Sequence, residues 1–426
     1  MQTNPIIGFV GTTHLAIVSS VAAAARGFEV VCFGDDPNVV ERLQAGEFPV
    51  HEPGLKVKAA ETLGNLHFTT DVRALARVDV CFVADDIPTD AEGRSNLDPV
   101  RGLISVVEPV LPAGAVLVIL CQVPPGFTRA VARTERDVVY QVETLVFGES
   151  VQRAMSPERF IVGCADAAED LPGTYSRYLA AFGCPVLKMS YESAELAKIA
   201  INLFLVSSVS TTNALAEICE KLGADWSEIV PALRLDRRIG EYAYLSPGLG
   251  IGGGNLERDV ATIVSLANEL EIDVGLMKVW QTNSQRRRRW VQEVIGPILR
   301  RKGGAARVGL LGLTYKQDTA STRNSAALTL LRDLPQSCVV KAYDPVVKVN
   351  SEWHVGIVQA ANMFDACKDS DILIIMTPWA EFRELAPAKA ARLLSGRLVV
   401  DPYRMLDAGE CVANGLEVVS LGRKPQ

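Results

Sequence analysis

The chain has 426 residues, a length that exceeds one hydrophobic core and predicts two or three domains. Its net charge of −7 argues against nucleic acid as a partner, although local positive charge can still hold a phosphate ligand. The nine cysteines are scattered singly, and neither a signal peptide nor an apolar run of about 18 residues is visible. We therefore expect a reduced, cytoplasmic protein with no membrane partner.

The N-terminus carries the pattern of a dinucleotide-binding βαβ unit. An apolar strand at 5–10 leads to Gly11, an alanine-rich helix follows at 15–26, and a second strand covers 29–33. Further apolar strands follow this unit, with helical patterns between them. Strands that alternate with helices in this way indicate a parallel sheet. These further strands are predicted at 78–84 and 115–120.

The glycine fingerprint of this unit is imperfect. Its three glycine positions hold Gly11, Thr13 and Ala16, and only the alanine is a tolerated replacement. Thr13 puts a branched side chain where the backbone should approach a pyrophosphate. The acid expected about 20 residues further on is replaced by Gly34, with Asp35 the nearest carboxylate. Taken alone, this fingerprint leaves a dinucleotide site open.

One long helix is predicted at 191–222. Glu195, Lys198 and Asn202 share one face of it, within an otherwise apolar run. Because burying such groups unpaired costs several kcal/mol, we expect Lys198 and Asn202 to meet polar partners or a wet cavity. The alternative is a Glu195–Lys198 pair on the surface.

A glycine-rich loop at 248–254 lies between the helical segments. Five glycines in seven residues allow sharp bends and a close approach to a ligand. Asn255 follows as a favoured capping residue before a helix that starts at about 256, and a further long helix is predicted at 275–302. The loop is interpreted as a catalytic wall, with a flexible surface loop as the alternative.

The C-terminal third repeats the opening of the chain. After Gly303 and Gly304, the segment 307–316 again runs from an apolar strand into a glycine turn. The sequence thus predicts an α/β protein with two Rossmann-like doubly wound domains joined by long central helices. The further strands are predicted at 339–343, 372–376 and 398–400, and the domain boundaries at 1–188, 189–302 and 303–426.

Several separated motifs occur in order over nearly the whole chain. They lie at 193–202, 236–240, 248–254, 312–319, 322–325, 343–345, 377–379 and 401–404. Together they resemble the UDP-glucose/GDP-mannose dehydrogenases, which use NAD to oxidise the C6 alcohol of a nucleotide sugar to a carboxylate. The resemblance implies an oxidoreductase of polysaccharide biosynthesis, acting on a UDP-sugar. It also implies a homodimer paired through the central helix.

The same resemblance implies catalytic roles. Glu143, in a segment similar to the family's Asn-Pro-Glu-Phe-Leu motif, would be the carboxylate used in acid/base work. Lys198 would stabilise the developing alkoxide, with Asn202 beside it and Asp259 as a further acid/base or water-orienting group. These residue types suit loss of a hydride from an alcohol, which needs a proton acceptor and a cation near the developing charge.

Binding residues follow from the resemblance in the same way. The 1–188 domain would bind NAD, and Asp35 and Asp36 disfavour the 2′-phosphate of NADP by charge repulsion. Arg238 would reach the substrate from a neighbouring subunit, while Lys316 and Arg404 would grip the nucleotide diphosphate and sugar in the 303–426 domain. The implied cofactor residues are Gly11, Thr13, His14, Leu15, Asp35, Asp36, Gln122 and Arg323. The implied substrate residues are Arg238, Tyr244, Gly252, Lys316 and Arg404.

The chain departs from the family pattern at the glycine loop. The family's nucleophilic cysteine falls on Asn255, whose carboxamide cannot form a thiohemiacetal. The loop offers no other thiol or hydroxyl, and Arg258 replaces the family's lysine beside Asp259. Cys121, at the end of an apolar strand, is expected to be a buried structural thiol and not a relocated nucleophile.

Three functions remain open at this point. The first is a single two-electron oxidation of a nucleotide sugar, with a variant in which a hydrated aldehyde is oxidised a second time. The second is an isomerase or epimerase that oxidises its substrate transiently with bound NAD. The third is a non-catalytic nucleotide-sugar binder.

Overall fold

The protein is described by a computed structural model that covers residues 4–90, 94–133 and 135–425. The chain forms two compact units that divide between Ile201 and Asn202. Each unit is built on one sheet of its own.

The first unit contains an eight-stranded sheet. Its strands are β1 (Ile7–Val10), β2 (Val30–Phe33), β3 (Leu66–Thr69), β4 (Val80–Val83), β5 (Val116–Ile119), β6 (Val138–Gln141), β7 (Phe160–Cys164) and β8 (Val186–Ser190). Their spatial order is β3-β2-β1-β4-β5-β6-β7-β8, and only the β6–β7 pair is antiparallel. The order reverses between β1 and β4, which creates a crevice outside the carboxyl ends of these strands.

Helices cover both faces of this sheet, and the apolar residues of the strands pack beneath them in two core clusters. Ten of the twelve residues of the first helix are buried, because alanine side chains let it lie close to the strands. The helices are α1 (His14–Ala25), α2 (Pro37–Gln44), α3 (Leu55–Glu61), α4 (Asp98–Val107), α5 (Phe127–Val131), α6 (Ser150–Met155) and α7 (Gly173–Ala180), with a 3₁₀ helix at Val72–Arg77.

The central part of the chain is helical. Its helices are α8 (Tyr191–Leu222), α9 (Trp226–Leu235), α10 (Asn255–Glu269), α11 (Gly275–Arg288) and α12 (Trp290–Arg301). The helix predicted at 275–302 is therefore two helices, because Arg289, with ψ near 0°, closes α11 and opens α12. The cap prediction was also wrong by one position: Gly254 is the N-cap of α10, and Asn255 is its first residue.

Helix α8 begins in the first unit and ends in the second. Among the described residues it is the one helix long and apolar enough to span a membrane by length and composition, with a mean hydropathy of 1.5 over its most apolar window. By this measure of length and hydropathy, the expectation that the chain has no apolar run of membrane-spanning length is wrong. The core helix of a soluble protein can meet the same measure. Lys198 and Asn202 lie within α8, and both side chains are buried.

The second unit contains a six-stranded parallel sheet. Its strands are β9 (Arg307–Leu311), β10 (Val339–Tyr343), β11 (Ile357–Gln359), β12 (Ile372–Ile375), β13 (Leu398–Val400) and β14 (Glu417–Val419). The order β11-β10-β9-β12-β13-β14 again reverses beside the first strand, which confirms the second doubly wound domain. The associated helices are α13 (Ala326–Asp333), α14 (Met363–Cys367), α15 (Pro387–Leu393) and α16 (Ala408–Ala413), with 3₁₀ helices at Ser351–Trp353 and Ala380–Glu384.

Candidate active site

Lys198 and Glu143 form a buried ion pair in the first unit. Lys198 Nζ lies 3.2 Å from Glu143 Oε2, and the two side chains are 9% and 13% exposed. Glu143 follows the carboxyl end of β6, and its other oxygen accepts a hydrogen bond from the Leu145 N–H. A largely buried charge is tolerated when it has a partner of opposite sign, and each of these two side chains provides one for the other. The pair supplies a proton acceptor and a cation at one place.

Glu195 is buried and does not form the surface pair with Lys198 that was considered as an alternative. Its two carboxylate oxygens accept hydrogen bonds from the N–H groups of Gly126, at 2.6 Å, and Thr128, at 2.8 Å. Burial raises the pKa of Glu195 above its ordinary value, and the bonds from Thr128 and Gly126 oppose that rise. Glu195 therefore caps α5 and fixes the end of the loop that carries Gln122.

Asn202 and Asp259 meet inside the second unit. The Asn202 side-chain amide donates to Asp259 Oδ2, and Arg258 Nε lies 3.4 Å from Asp259 Oδ1. All three residues are buried. Asn202 follows Lys198 by four residues on α8, which places the two side chains one helical turn apart on the same face.

The glycine loop is packed against its own unit and is not a free surface loop. Gly250 and Gly253 have φ of +81° and +77°, a region that favours glycine. A Cβ at Gly252 or Gly253 would lie 3.0 Å from the Tyr315 ring. The Gly253 N–H donates to the Arg323 carbonyl at 3.1 Å, so the backbone of Arg323 holds this loop. The loop ends at Asn255, which is exposed at the start of α10.

The cofactor residues predicted in the first unit gather at the carboxyl edge of its sheet. Gly11, with φ +125°, makes the turn after β1. The N-terminus of α1 has no side-chain cap, so its first N–H groups fit an anion such as a dinucleotide diphosphate. Asp35 is exposed just after β2, and Asp36 caps α2 by accepting from the N–H groups of Asn38 and Val39.

His14 and Leu15 lie in the interior. Leu15 belongs to the core beneath α1. His14 Nε2 lies 3.0 Å from the Glu52 carboxylate, which also accepts from the N–H groups of Gly148 and Ser150. Burial alone would raise the pKa of Glu52, but the bonds from His14, Ser150 and Gly148 outweigh it and lower that pKa. Glu52 belongs to no motif visible in the sequence, and its partners lie up to 98 residues away.

A cavity of about 630 Å³ in the second unit is lined by Arg404, Tyr315 and the start of the glycine loop. Arg404 donates to both oxygens of Asp225, at 2.7 and 3.1 Å, and to Ser227 Oγ. Partial burial favours a higher pKa for Asp225, but the bonds from Arg404 and Ser227 lower it to about 2. The Arg404 guanidinium is thereby fixed at the cavity wall.

The other predicted substrate residues lie elsewhere in this unit. Lys316 Nζ lies 6.0 Å from the centre of the Tyr315 ring, beside the glycine loop. Arg238 is exposed and paired with Asp236, and the Tyr244 carbonyl accepts from Thr212 Oγ1. Arg404 therefore lines the cavity, Lys316 lies next to a residue that lines it, and Arg238 points to solvent.

Cysteine chemistry offers no activated thiol. Eight of the nine cysteines are buried and the other, Cys184, is half-buried. Burial raises the pKa of Cys121 far above its ordinary value, and that of Cys32 and Cys81 to about 12. A thiolate is the reactive form, so Cys121 is a structural thiol, as expected.

Three consecutive parts of the chain match the domains of one family. Residues 6–177 match the NAD binding domain of the UDP-glucose/GDP-mannose dehydrogenases, 192–285 their central domain, and 309–408 their UDP binding domain. The chain belongs to this family. Its members are NAD-dependent oxidoreductases that act on a CH–OH group of a nucleotide sugar, so NAD is the cofactor and a nucleotide sugar the substrate.

Relatives match the chain over almost its full length. The UDP-glucose 6-dehydrogenase TuaD of Bacillus subtilis is 29% identical over 433 residues, which cover 98% of this chain and 93% of the relative. A UDP-glucose 6-dehydrogenase of Rhizobium meliloti is also 29% identical, covering 98% and 99% of the two chains. The solved UDP-glucose dehydrogenase of Pyrobaculum islandicum is similar with a TM-score of 0.83, 26% identity and 95% coverage of both chains.

Proposed function

We propose that this protein oxidises one CH–OH group of a nucleotide sugar, with a UDP-sugar as the substrate, by a single two-electron step that leaves a carbonyl product. The Lys198–Glu143 pair is the observation that supports the oxidation itself. The 29%-identical relatives, which are UDP-glucose 6-dehydrogenases, support the choice of UDP as the nucleotide.

The residues of the chain provide the proton chemistry of such a step. NAD, when bound, accepts the hydride. Glu143 accepts the hydroxyl proton, and the Lys198 ammonium stabilises the oxygen as negative charge develops on it. Asn202 and Asp259, already bonded to each other, would orient the substrate or a water molecule. Lys198, Asn202 and Asp259 are buried and the Glu143 side chain is 13% exposed, which strengthens the electrostatic effect of the charged groups on the reacting oxygen.

The single-step outcome rests on Asn255. A second oxidation through an enzyme-bound thiohemiacetal needs a nucleophilic sulfur at this position, and a carboxamide provides none. The nearest residues of the glycine loop are glycines, leucine and isoleucine, and the native thiols of the chain are shielded by burial. An aldehyde or ketone would then leave the site.

We assign the substrate's nucleotide to the cavity lined by Arg404. The Arg404 guanidinium places a positive charge at the cavity wall, where it attracts a diphosphate, and its bonds to Asp225 hold it in place. Lys316 adds positive charge beside Tyr315. Arg238, exposed in a single chain, is assigned to the substrate of a partner subunit in a homodimer.

Product stoichiometry tests the proposal. The purified protein is incubated with NAD and a panel of UDP-, GDP-, ADP- and dTDP-sugars, NADH is followed by absorbance, and the products are identified by mass. One NADH per sugar with a carbonyl product is expected. Two NADH per sugar would contradict the proposal and indicate a four-electron oxidation. An altered sugar without NADH would indicate an isomerase, and no change across the panel would indicate a non-catalytic binder.

A further inference from the structure

The NAD crevice of the first unit contains a carboxylate at the place where the sheet order reverses. Asp85 follows β4 and faces Gly11 across the crevice between β1 and β4. A Cβ on Gly11 would lie 3.0 Å from Asp85 Oδ1, so the carboxylate touches the glycine turn itself. This oxygen is buried without a hydrogen-bond partner among the described residues. Asp85 itself is half-buried and its carboxylate is hydrogen-bonded by Thr13, but a buried oxygen with no partner is costly, which points to a ligand at this place.

Thr13 ties the two sides of the crevice together. The Asp86 N–H donates to Thr13 Oγ1 at 2.9 Å, which joins the residue before α1 to the loop after β4. In the usual fingerprint a glycine at this position lets the backbone approach the pyrophosphate. Here the threonine side chain occupies that approach. The hydrogen bond therefore holds Asp85 and Asp86 close to the N-terminus of α1.

The opposite end of the site also lacks its usual contact. Gly34 stands where an acid would bind the adenosine ribose. A Cβ at this position would lie only 2.2 Å from Thr12 Cγ2, so Thr12 fills the space that the acidic side chain would need. The crevice thus has a carboxylate beside the glycine turn, and it has Gly34 at the position of the ribose acid, with Asp35 the next residue.

We propose that Asp85 determines cofactor affinity in this chain by opposing the diphosphate of NAD. NAD, when bound in the manner of the fingerprint, would bring its diphosphate to the glycine turn that Asp85 touches, and two negative groups there would repel each other. Asp35 and Asp86 add to the negative charge around Asp85. Burial raises the pKa of Asp85 and of Asp86, and hydrogen bonds from Thr13, which favour the charged carboxylates, oppose that rise. The proposal rests on NAD as the cofactor and is independent of the two-electron outcome.

The test is NAD binding by isothermal titration calorimetry, without a sugar substrate. Asp85→Asn keeps the shape of the side chain and removes its charge, and we expect it to lower the Kd for NAD by about tenfold or more. ADP-ribose, which keeps the diphosphate and lacks nicotinamide, should show the same gain. Added salt should tighten NAD binding to the wild type more than to Asp85→Asn, because salt screens the repulsion.

Asp137→Asn is the matched control. Asp137 is exposed just before β6, at the amino end of that strand, whereas Asp85 lies at the carboxyl end of β4 in the same sheet. Its substitution makes the same change in net charge. Its Kd for NAD should equal that of the wild type. An unchanged or higher Kd in Asp85→Asn would overturn the proposal, and a higher one would mean that Asp85 accepts hydrogen bonds from the cofactor. Since the expected result is a gain of binding, a misfolded variant cannot produce it.

Discussion

At the scale of single residues, Lys198 is the group whose loss should affect chemistry most directly. Lys198→Met keeps the length of the side chain and removes the cation beside Glu143. We expect kcat to fall by about 10²- to 10³-fold, because the developing alkoxide loses its stabilising charge. Steady-state kinetics with NAD and the substrate found in the panel give the measurement.

A matched lysine in the same unit controls this experiment. Lys188 is exposed on β8 and donates to the Glu169 carbonyl, away from Glu143. Lys188→Met should leave kcat within about twofold of the wild type. Equal losses in the two variants would show that Lys198 acts through stability and not through the reaction.

Asp225 gives a residue-scale prediction about pH. Its pKa is lowered from 3.8 to about 2 in the folded protein, so the stability that the Arg404 pair provides is complete above pH 4 and is lost as the pH falls towards 2. Because both side chains are about a quarter exposed, we expect Asp225→Asn to cost about 1 kcal/mol at pH 7 and only a small fraction of that at pH 2.

Urea unfolding at several pH values measures that difference. Asp273→Asn serves as control, since Asp273 accepts from the Gly275 N–H and asparagine can do the same. The control should follow the wild-type curve at every pH. A loss in Asp225→Asn that stays constant down to pH 2 would contradict the charge-based account.

At the scale of elements, the Glu195 carboxylate of α8 holds the N-terminus of α5. Glu195→Ala would leave the N–H groups of Gly126 and Thr128 without their acceptor, at a cost of about 2–4 kcal/mol in the free energy of unfolding. Glu192→Ala, one turn earlier on α8, removes only an exposed pair with Arg129 and should cost less than about 1 kcal/mol. Denaturant unfolding of both variants provides the comparison, and equal costs would refute the capping role.

The elements themselves were largely predictable from the sequence. Short apolar runs gave the strands, and helical spacing gave α1 and α8, because burial on a parallel sheet requires those patterns. The break at Arg289 was not visible, since arginine is compatible with a continuing helix and only its backbone angles show the end.

The candidate site was predictable only in part. Lys198 and Asn202 were recognised as buried polar groups that need partners, and the structure supplies Glu143 and Asp259. The partners of Glu195 and Glu52 were not predictable, because they are distant in the sequence. Glu195 and Thr128 are 67 positions apart, and Glu52 and Ser150 are 98 positions apart. Whether the predicted binding residues contact NAD or the sugar stays a prediction.

At the scale of the whole molecule, one face of α8 carries exposed apolar side chains within the second unit. Phe204, Leu215, Ile218 and Leu222 recur at helical spacing, and Phe204 and Leu222 are 78% and 77% exposed. Such a stripe is typical of an interface, so it supports the proposed homodimer. We expect the double variant Phe204→Glu and Ile218→Glu to be monomeric, because two acids would be buried in the contact.

Light scattering after gel filtration measures the mass of each species. Val355→Glu is the control. It introduces an acid at an apolar position of the second unit that lies outside α8 and is about as exposed as Phe204. The control should keep the mass of the wild type. A monomeric wild type would refute the dimer, and a dimeric double variant would place the interface on another surface.

The burial of the native thiols makes the chain suitable for selective labelling. Eight cysteines are shielded from solvent and the ninth is half-buried, so alkylating reagents should modify them slowly in the folded state. Asn255 is exposed at the end of the glycine loop. A cysteine introduced there by Asn255→Cys would be the fast-reacting thiol. The rate at which a fluorescent reagent labels it should fall when a nucleotide sugar occupies the site.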